Sequence, residues 1–208
     1  MKTFRTILAW LIIITVVQGC KKDSADNPAD QLKNTVWAAQ LTYAGGSIRP
    51  VSMEFRSGGQ LSWNDIMGEQ FGSWSVENGT VTVKLGTDIG FSARFSGNNS
   101  MAGFEHLSAN TWEITFCEKN NSENTSLDNT TWIAPNLVLK FKPGNLVDLQ
   151  LAGAVNYTDI PYMTIAKSIH FSNPLFNWFL IKGNTPSMKG VNKWNSDPKY
   201  YLLEVVKQ

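Results

Sequence analysis

The sequence predicts an all-β fold: two tandem, small, antiparallel meander β-barrels behind a leader and a short tether. Three observations carry that prediction. The segment Leu32-Lys-Asn34-Thr35-Val-Trp37 returns as Leu127-Asp-Asn129-Thr130-Thr-Trp132, and later landmarks return in the same order. Phe55 answers to Phe141, Val81 to Ile169, Met101 to Met188 and Trp112 to Tyr201, at offsets of 86, 88, 87 and 89. Collinear self-similarity of this kind is the mark of a duplicated unit. Apolar residues alternate with polar ones at period two through both copies, as in strands with one face in a core and one in water. Turn chemistry separates the alternating runs: Asn78-Gly79 lies between two of them, and a type I′ hairpin turn needs positive φ at both central positions.

Residues 1–19 read as a secretory leader. Lys2 and Arg5 precede an apolar run from Ile7 to Val17, which is shorter than the roughly 20 residues a membrane-spanning helix needs. The run ends in Val17-Gln18-Gly19-Cys20, which resembles a bacterial lipobox, so Cys20 is the predicted lipid-attachment site and the membrane the predicted partner of the N-terminus. Residues 20–31, with Lys21, Lys22, Asp23, Asp26 and Pro28, have the polar composition of a solvated tether. The charge pattern after Cys20 and the Asp23-Ser24-Ala25 triplet are similar to export and O-glycosylation signals of Bacteroidetes-type lipoproteins. They imply an outer-membrane lipoprotein facing the periplasm or the cell surface.

Removing the leader takes two basic residues and no acids, so the formal balance moves from +1 to about −1. Phosphate binding depends on clustered Lys and Arg, so nucleic acid is not an expected partner. With Cys20 acylated, Cys117 has no disulfide partner and is expected to pack as a small hydrophobe.

In the first repeat, residues 32–118, the expected inward residues are Trp37, Ala39, Leu41, Tyr43, Val51, Met53, Phe55, Leu61, Trp63, Trp74, Val76, Val81, Val83, Leu85, Phe91, Ala93, Phe95, Trp112, Ile114 and Phe116. Residues 119–126 carry no apolar side chain and are the expected linker. The second repeat, residues 127–208, restarts with Leu137, Leu139 and Phe141, a Pro143-Gly144 turn, then Val147, Leu149 and Leu151. It departs from the first in one respect: Trp178 and Leu180, aligned with Ser92 and Arg94, and Tyr200 and Leu202 put apolar side chains on the supposed solvent face. A strand apolar on both faces is covered on both. Packing between the repeats accounts for those four residues; an aromatic platform for a ligand or an envelope protein partner is the sharper reading.

No arrangement of residues points to a reaction. His106 and His170 lie at non-equivalent positions outside any ligand-spaced motif, so no metal is expected. No nucleophile elbow, phosphate loop or dinucleotide fingerprint occurs, and no cofactor is expected. Paired carboxylates could hydrolyse glycosides, but Glu54, Glu113, Asp148 and Glu204 alternate with apolar neighbours and are expected to face water. Of the seven tryptophans outside the leader, Trp194 lies in the polar stretch Asn192 to Pro198, where an indole can stack on a sugar or cover a barrel mouth. Trp178 and Trp194 are therefore the candidate ligand-binding residues.

The opening Leu-x-Asn-Thr-x-Trp, the turn Phe-x-x-Gly-Gly or Phe-x-Pro-Gly, and the strand after Met-x-Gly resemble the small lipocalin-like domains of Bacteroidetes lipoproteins. The opening is also similar to that of the META family, whose Gly-Cys-Asn element is missing. The lipocalin-like resemblance covers both copies and implies an antiparallel barrel or half-barrel without catalytic residues. The functional expectation is a non-catalytic lipoprotein that binds a carbohydrate or small apolar ligand, at a barrel mouth or between the copies. The alternatives are an accessory protein docking to an envelope partner and, behind it, a glycan-processing enzyme.

Overall fold

A computed structural model describes residues 28–87, 89–107, 112–123, 125–152, 156–183 and 186–208. The expected leader, residues 1–19, and Cys20 lie outside the described residues. A five-residue helix, α1 (Pro28–Leu32), occupies the end of the expected tether and leads into the first unit. That unit comprises β1 (Thr35–Tyr43), β2 (Ile48–Phe55), β3 (Gln60–Asp65), β4 (Gly68–Glu77), β5 (Thr80–Leu85), β6 (Ile89–Phe95), β7 (Met101–His106) and β8 (Trp112–Lys119). The second comprises β9 (Thr130–Ala134), β10 (Leu137–Lys142), β11 (Leu146–Leu151), β12 (Asn156–Ile165), β13 (Ser168–Asn173), β14 (Phe176–Lys182), β15 (Ser187–Trp194) and β16 (Tyr201–Lys207). Each is an antiparallel meander, and strand answers to strand from β1 and β9 through to β8 and β16.

The second unit is a closed barrel, with β16 returning to β9 through Val206↔Ile133 and Lys207↔Trp132. The first is an eight-stranded sheet curled almost to closure. Its last strand pairs along most of β1, while among the described residues the β7 and β8 sides are linked by the Ser100↔Glu118 bridge, the Lys119 N–H donating to the Asn99 carbonyl (2.8 Å) and the edge-on contact of His106 with Trp112 at 5.1 Å.

The repeated opening segment has the same structure twice. Asn34 and Asn129 take left-handed φ values of 58° and 59°, a region Asn tolerates better than most residues. The Thr35 hydroxyl donates to the Leu32 carbonyl and accepts from Trp37 Nε1 at 2.9 Å; Thr130 does the same between Leu127 and Trp132 Nε1, also at 2.9 Å. Each tryptophan is thus buried with its one polar atom satisfied, which is what allows a large indole to fill a small barrel. Phe55 pairs with Thr35 and meets Trp74 edge-on at 5.8 Å; Phe141 pairs with Thr130 and meets Tyr162 edge-on at 5.2 Å. Leu32 and Leu127, both buried, join the core clusters of their respective barrels.

Expected positions are corrected in two strands. In β8 the ladder to β1 steps from Leu41↔Ile114 to Gln40↔Phe116, so Thr115 is an extra residue. A bulge reverses the parity that follows it: Cys117 enters the core and Phe116, expected inside, is 42 % exposed. Burial pushes the Cys117 thiol far up, which leaves it unreactive. In β14, Ile169↔Leu180 and Phe171↔Trp178 are cross-strand pairs, matching Val81↔Ala93 and Phe91↔Val83 in the first unit. Trp178 and Leu180 therefore answer to Phe91 and Ala93, not to Ser92 and Arg94, and both point into the second barrel. They are not on its outer face.

Candidate functional site

The outer face of β14 belongs to Phe179 and Ile181. With Val191 they form a buried cluster against Ala38 and Ile66 of the first barrel and Tyr200 of the second. On β2 and β3 of the first barrel the small or polar side chains Ser52, Ser62 and Asn64 are all fully buried. The Ser52 hydroxyl donates to the Ala166 carbonyl across the seam. Tyr200 lies there as the sequence suggested, its ring beneath the Arg49 guanidinium at 4.2 Å and its hydroxyl 3.7 Å from Met67 Sδ. Leu202 shares an outward face with Val191 but is 55 % exposed and stands outside the buried seam cluster.

The linker is stitched down rather than free. The Asn120 side chain donates to the Lys182 carbonyl at 2.7 Å. Lys167 Nζ donates to the carbonyls of Asn120 (2.8 Å) and Ser122 (2.5 Å), and Lys182 Nζ to the Glu123 carbonyl (2.6 Å) and the Thr125 hydroxyl. Partial burial, and each ammonium's nearness to the other or to Lys207, pulls both lysines below the usual range, with Glu123 opposing the shift at Lys182. Lys167 reaches the linker from a tight turn in which Ala166 and Lys167 have φ of 47° and 63°, where the first barrel uses Asn78 and Gly79 at 51° and 75°. Left-handed geometry costs a side-chain-bearing residue about 1–2 kcal/mol, so the seam contacts hold a turn that local sequence disfavours.

The barrel interiors are filled. Trp37, Met53, Phe55 and Phe91 are fully buried in the first, and Leu139, Phe141, Leu149 and Phe176 in the second. Three cavities instead draw walls from both barrels. One, of about 570 Å³, lies beside Glu54, Glu123, Asp128, Lys167 and Lys182. Another, of about 260 Å³, lies between Ala38, Phe116 and Ile181. The third, of about 370 Å³, is bounded by the β3–β4 hairpin tip (Ile66 to Gly68) and by Pro161, Met163, His170 and Trp178 of the second barrel.

Trp178 is 4 % exposed and stacks on Phe171 at 5.5 Å and 14°. Its Nε1 is buried without a hydrogen-bond partner among the described residues. Trp194 is the last residue of β15 rather than part of a loop; it meets Phe176 edge-on at 5.3 Å. Its Nε1 reaches the Asn192 side-chain oxygen at 3.2 Å in the amide orientation that satisfies both groups. The two candidate ligand residues thus sit on neighbouring strands, with Trp178 deep and Trp194 half-buried. The sequence missed Met67 and Met163 as cavity residues, because a methionine near a hairpin tip and one at an outward position carry no periodic signal.

His170 points outward from its own barrel but is covered by the other. Burial lowers its pKa to about 4 despite the nearby Glu69 carboxylate, so the ring is neutral at pH 7. Its Nε2 lies 3.3 Å from Ser168 Oγ and its ring is edge-on to Phe179 at 4.7 Å. Asp148 and Asp159 both contact Lys142, at 2.7 and 2.5 Å. The Lys142 ammonium holds Asp148 below the usual carboxylate range. That carboxylate is thus a poor proton donor of the kind glycoside hydrolysis requires. Glu54 is paired with Arg56 at 2.7 Å. Among the described residues no group of three or more His, Cys, Asp or Glu side chains comes together as a metal site.

Comparison of the chain with protein-family models, curated proteins and solved structures gave no match.

Proposed function

We propose that this chain is a non-catalytic binding lipoprotein of a bacterial outer membrane, anchored through Cys20 and engaging its ligand in the seam between the barrels rather than in their interiors. The observation that carries this reading is the disposition of space. Both interiors are packed with aromatic and aliphatic side chains, while three cavities have walls from both barrels. Small-molecule sites favour junctions between domains and take roughly 300–1,000 Å³, a range that includes two of the three. Ligand classes consistent with these walls are a carbohydrate, whose hydroxyls suit the mixed lysines and carboxylates of the larger groove, and a small apolar molecule in the methionine-lined one.

The test is binding of the purified mature chain to glycan and fatty-acid arrays, with mass spectrometry of the N-terminus. Saturable binding to one class and an acylated Cys20 are expected. Binding to neither class removes the ligand reading, and an unacylated Cys20 removes the anchor. The second reading, docking to an envelope protein, draws on Met67, Phe71 and Met163, which are 67 %, 67 % and 58 % exposed. Co-purification of a stoichiometric envelope protein that Met67→Glu releases would favour it.

A further inference from the structure

The 370 Å³ cavity lies at a window in the strand pairing of the second barrel. The β12–β13 ladder runs from Ile165↔Ser168 to Tyr162↔Phe171. Beyond that, Leu146↔Pro161 to Gln150↔Asn156 belong to β11, and Ser172↔Asn177 and Asn173↔Phe176 belong to β14. The two strands part at Pro161, which has no N–H to donate. Phe171 and Trp178, both core residues and nearly closed to solvent, line the cavity at this parting. The first barrel supplies the opposite wall through Ile66 and Met67, and Asp65 fixes that hairpin tip by accepting from the Met67 N–H at 2.7 Å.

The walls define the ligand. Met67, Met163 and Pro161 at the rim and Phe171 deeper in present mostly apolar surface, and methionine adapts readily to irregular apolar shapes. Trp178 supplies the one unmet polar demand: its indole N–H is buried and unpartnered, a condition that costs about 1–3 kcal/mol. In the first barrel the same place is filled by Phe91, which makes no such demand. His170 on the same wall is neutral at pH 7 and brings no charge.

We infer that this window is a binding site for a small, uncharged, mostly apolar molecule bearing one hydrogen-bond acceptor, a carbonyl or ether oxygen, which takes the Trp178 indole N–H. This deepens the proposed function and rests on it. The ligand slips between the barrels, with its apolar body between Met67 and Met163 and its oxygen turned inward.

The test uses acetophenone and α-methylstyrene, which share a shape but differ in having and lacking the acceptor. Both are titrated into the purified mature chain while the indole N–H resonances are followed by NMR, with the Trp178 signal assigned through Trp178→Phe. Acetophenone is expected to move the Trp178 signal and to bind about tenfold tighter than α-methylstyrene, the equivalent of one modest hydrogen bond. Trp178→Phe should abolish that preference while α-methylstyrene still binds. Met67→Glu, an exposed change that leaves both barrels intact, should weaken both probes. Equal affinity for the two probes, an unmoved Trp178 signal, failure of both to bind, or a preference that survives Trp178→Phe each overturn the site. An array ligand that shifts other indoles but not that of Trp178 would sink this site and leave the binding function standing.

Discussion

His170 shows how the duplication converts an outward position into a half-buried one. On its own barrel it points away from the core, as its place between Ile169 and Phe171 predicts; the first barrel then covers it. An imidazole freely titrating in an unfolded chain near pH 6.5 titrates here at about 4 because burial disfavours the cation. The sign follows directly. Between pH 6.5 and about 4 the unfolded chain takes up a proton that the folded chain refuses, so this stability is complete above pH 6.5 and declines as pH falls. The full shift corresponds to at most about 3 kcal/mol, and screening by water reduces it. Lowering the pH from 7 to 5 should shift the urea midpoint downward in the native chain and by visibly less in His170→Gln. Identical pH dependence in the two would mean the ring is not covered. The sequence showed where His170 points but not what lies against it, because the cover comes from residues about a hundred positions earlier.

At the scale of the element, alternation predicted strands well wherever one face met water. It failed at β14, Phe176-Asn-Trp-Phe-Leu-Ile, where Trp178 and Leu180 face the core and Phe179 and Ile181 face the neighbouring barrel. A strand buried on both sides has no polar face to set its parity, and a one-residue slip exchanges its faces. The bulge at Thr115 similarly exchanged Phe116 and Cys117. The Met-x-Gly motif marks equivalent strands yet its glycine serves two ends. Gly103 takes φ of 65° with open space where a Cβ would stand. At Gly190 a Cβ would lie 2.0 Å from the Phe179 carbonyl oxygen and 2.7 Å from the Leu180 side chain. Gly103→Ala should therefore cost about 1 kcal/mol from backbone conformation alone. Gly190→Ala should cost about 3 kcal/mol, because β14 and β15 must separate. Equilibrium urea unfolding of the two variants checks the order, and equal costs would contradict the close approach.

For the molecule as a whole, the repeat was legible because Leu-x-Asn-Thr-x-Trp is a structural device: a left-handed Asn, a Thr hydroxyl between a carbonyl and an indole, and a leucine in each core. The joint between the repeats was legible only in outline. Excess apolar residues in the second copy signalled it, but its contacts are polar on one side and come from the linker, the Ala166-Lys167 turn and single outward residues of separate strands. Phe179 stands at the centre of that joint, fully buried on the outside of its own barrel. Differential scanning calorimetry of the purified chain beside Phe179→Asp tests the joint most directly. The native chain should melt in one cooperative transition, and the variant in two, as each barrel unfolds on its own. Two transitions in the native chain, unchanged by Phe179→Asp, would contradict the account.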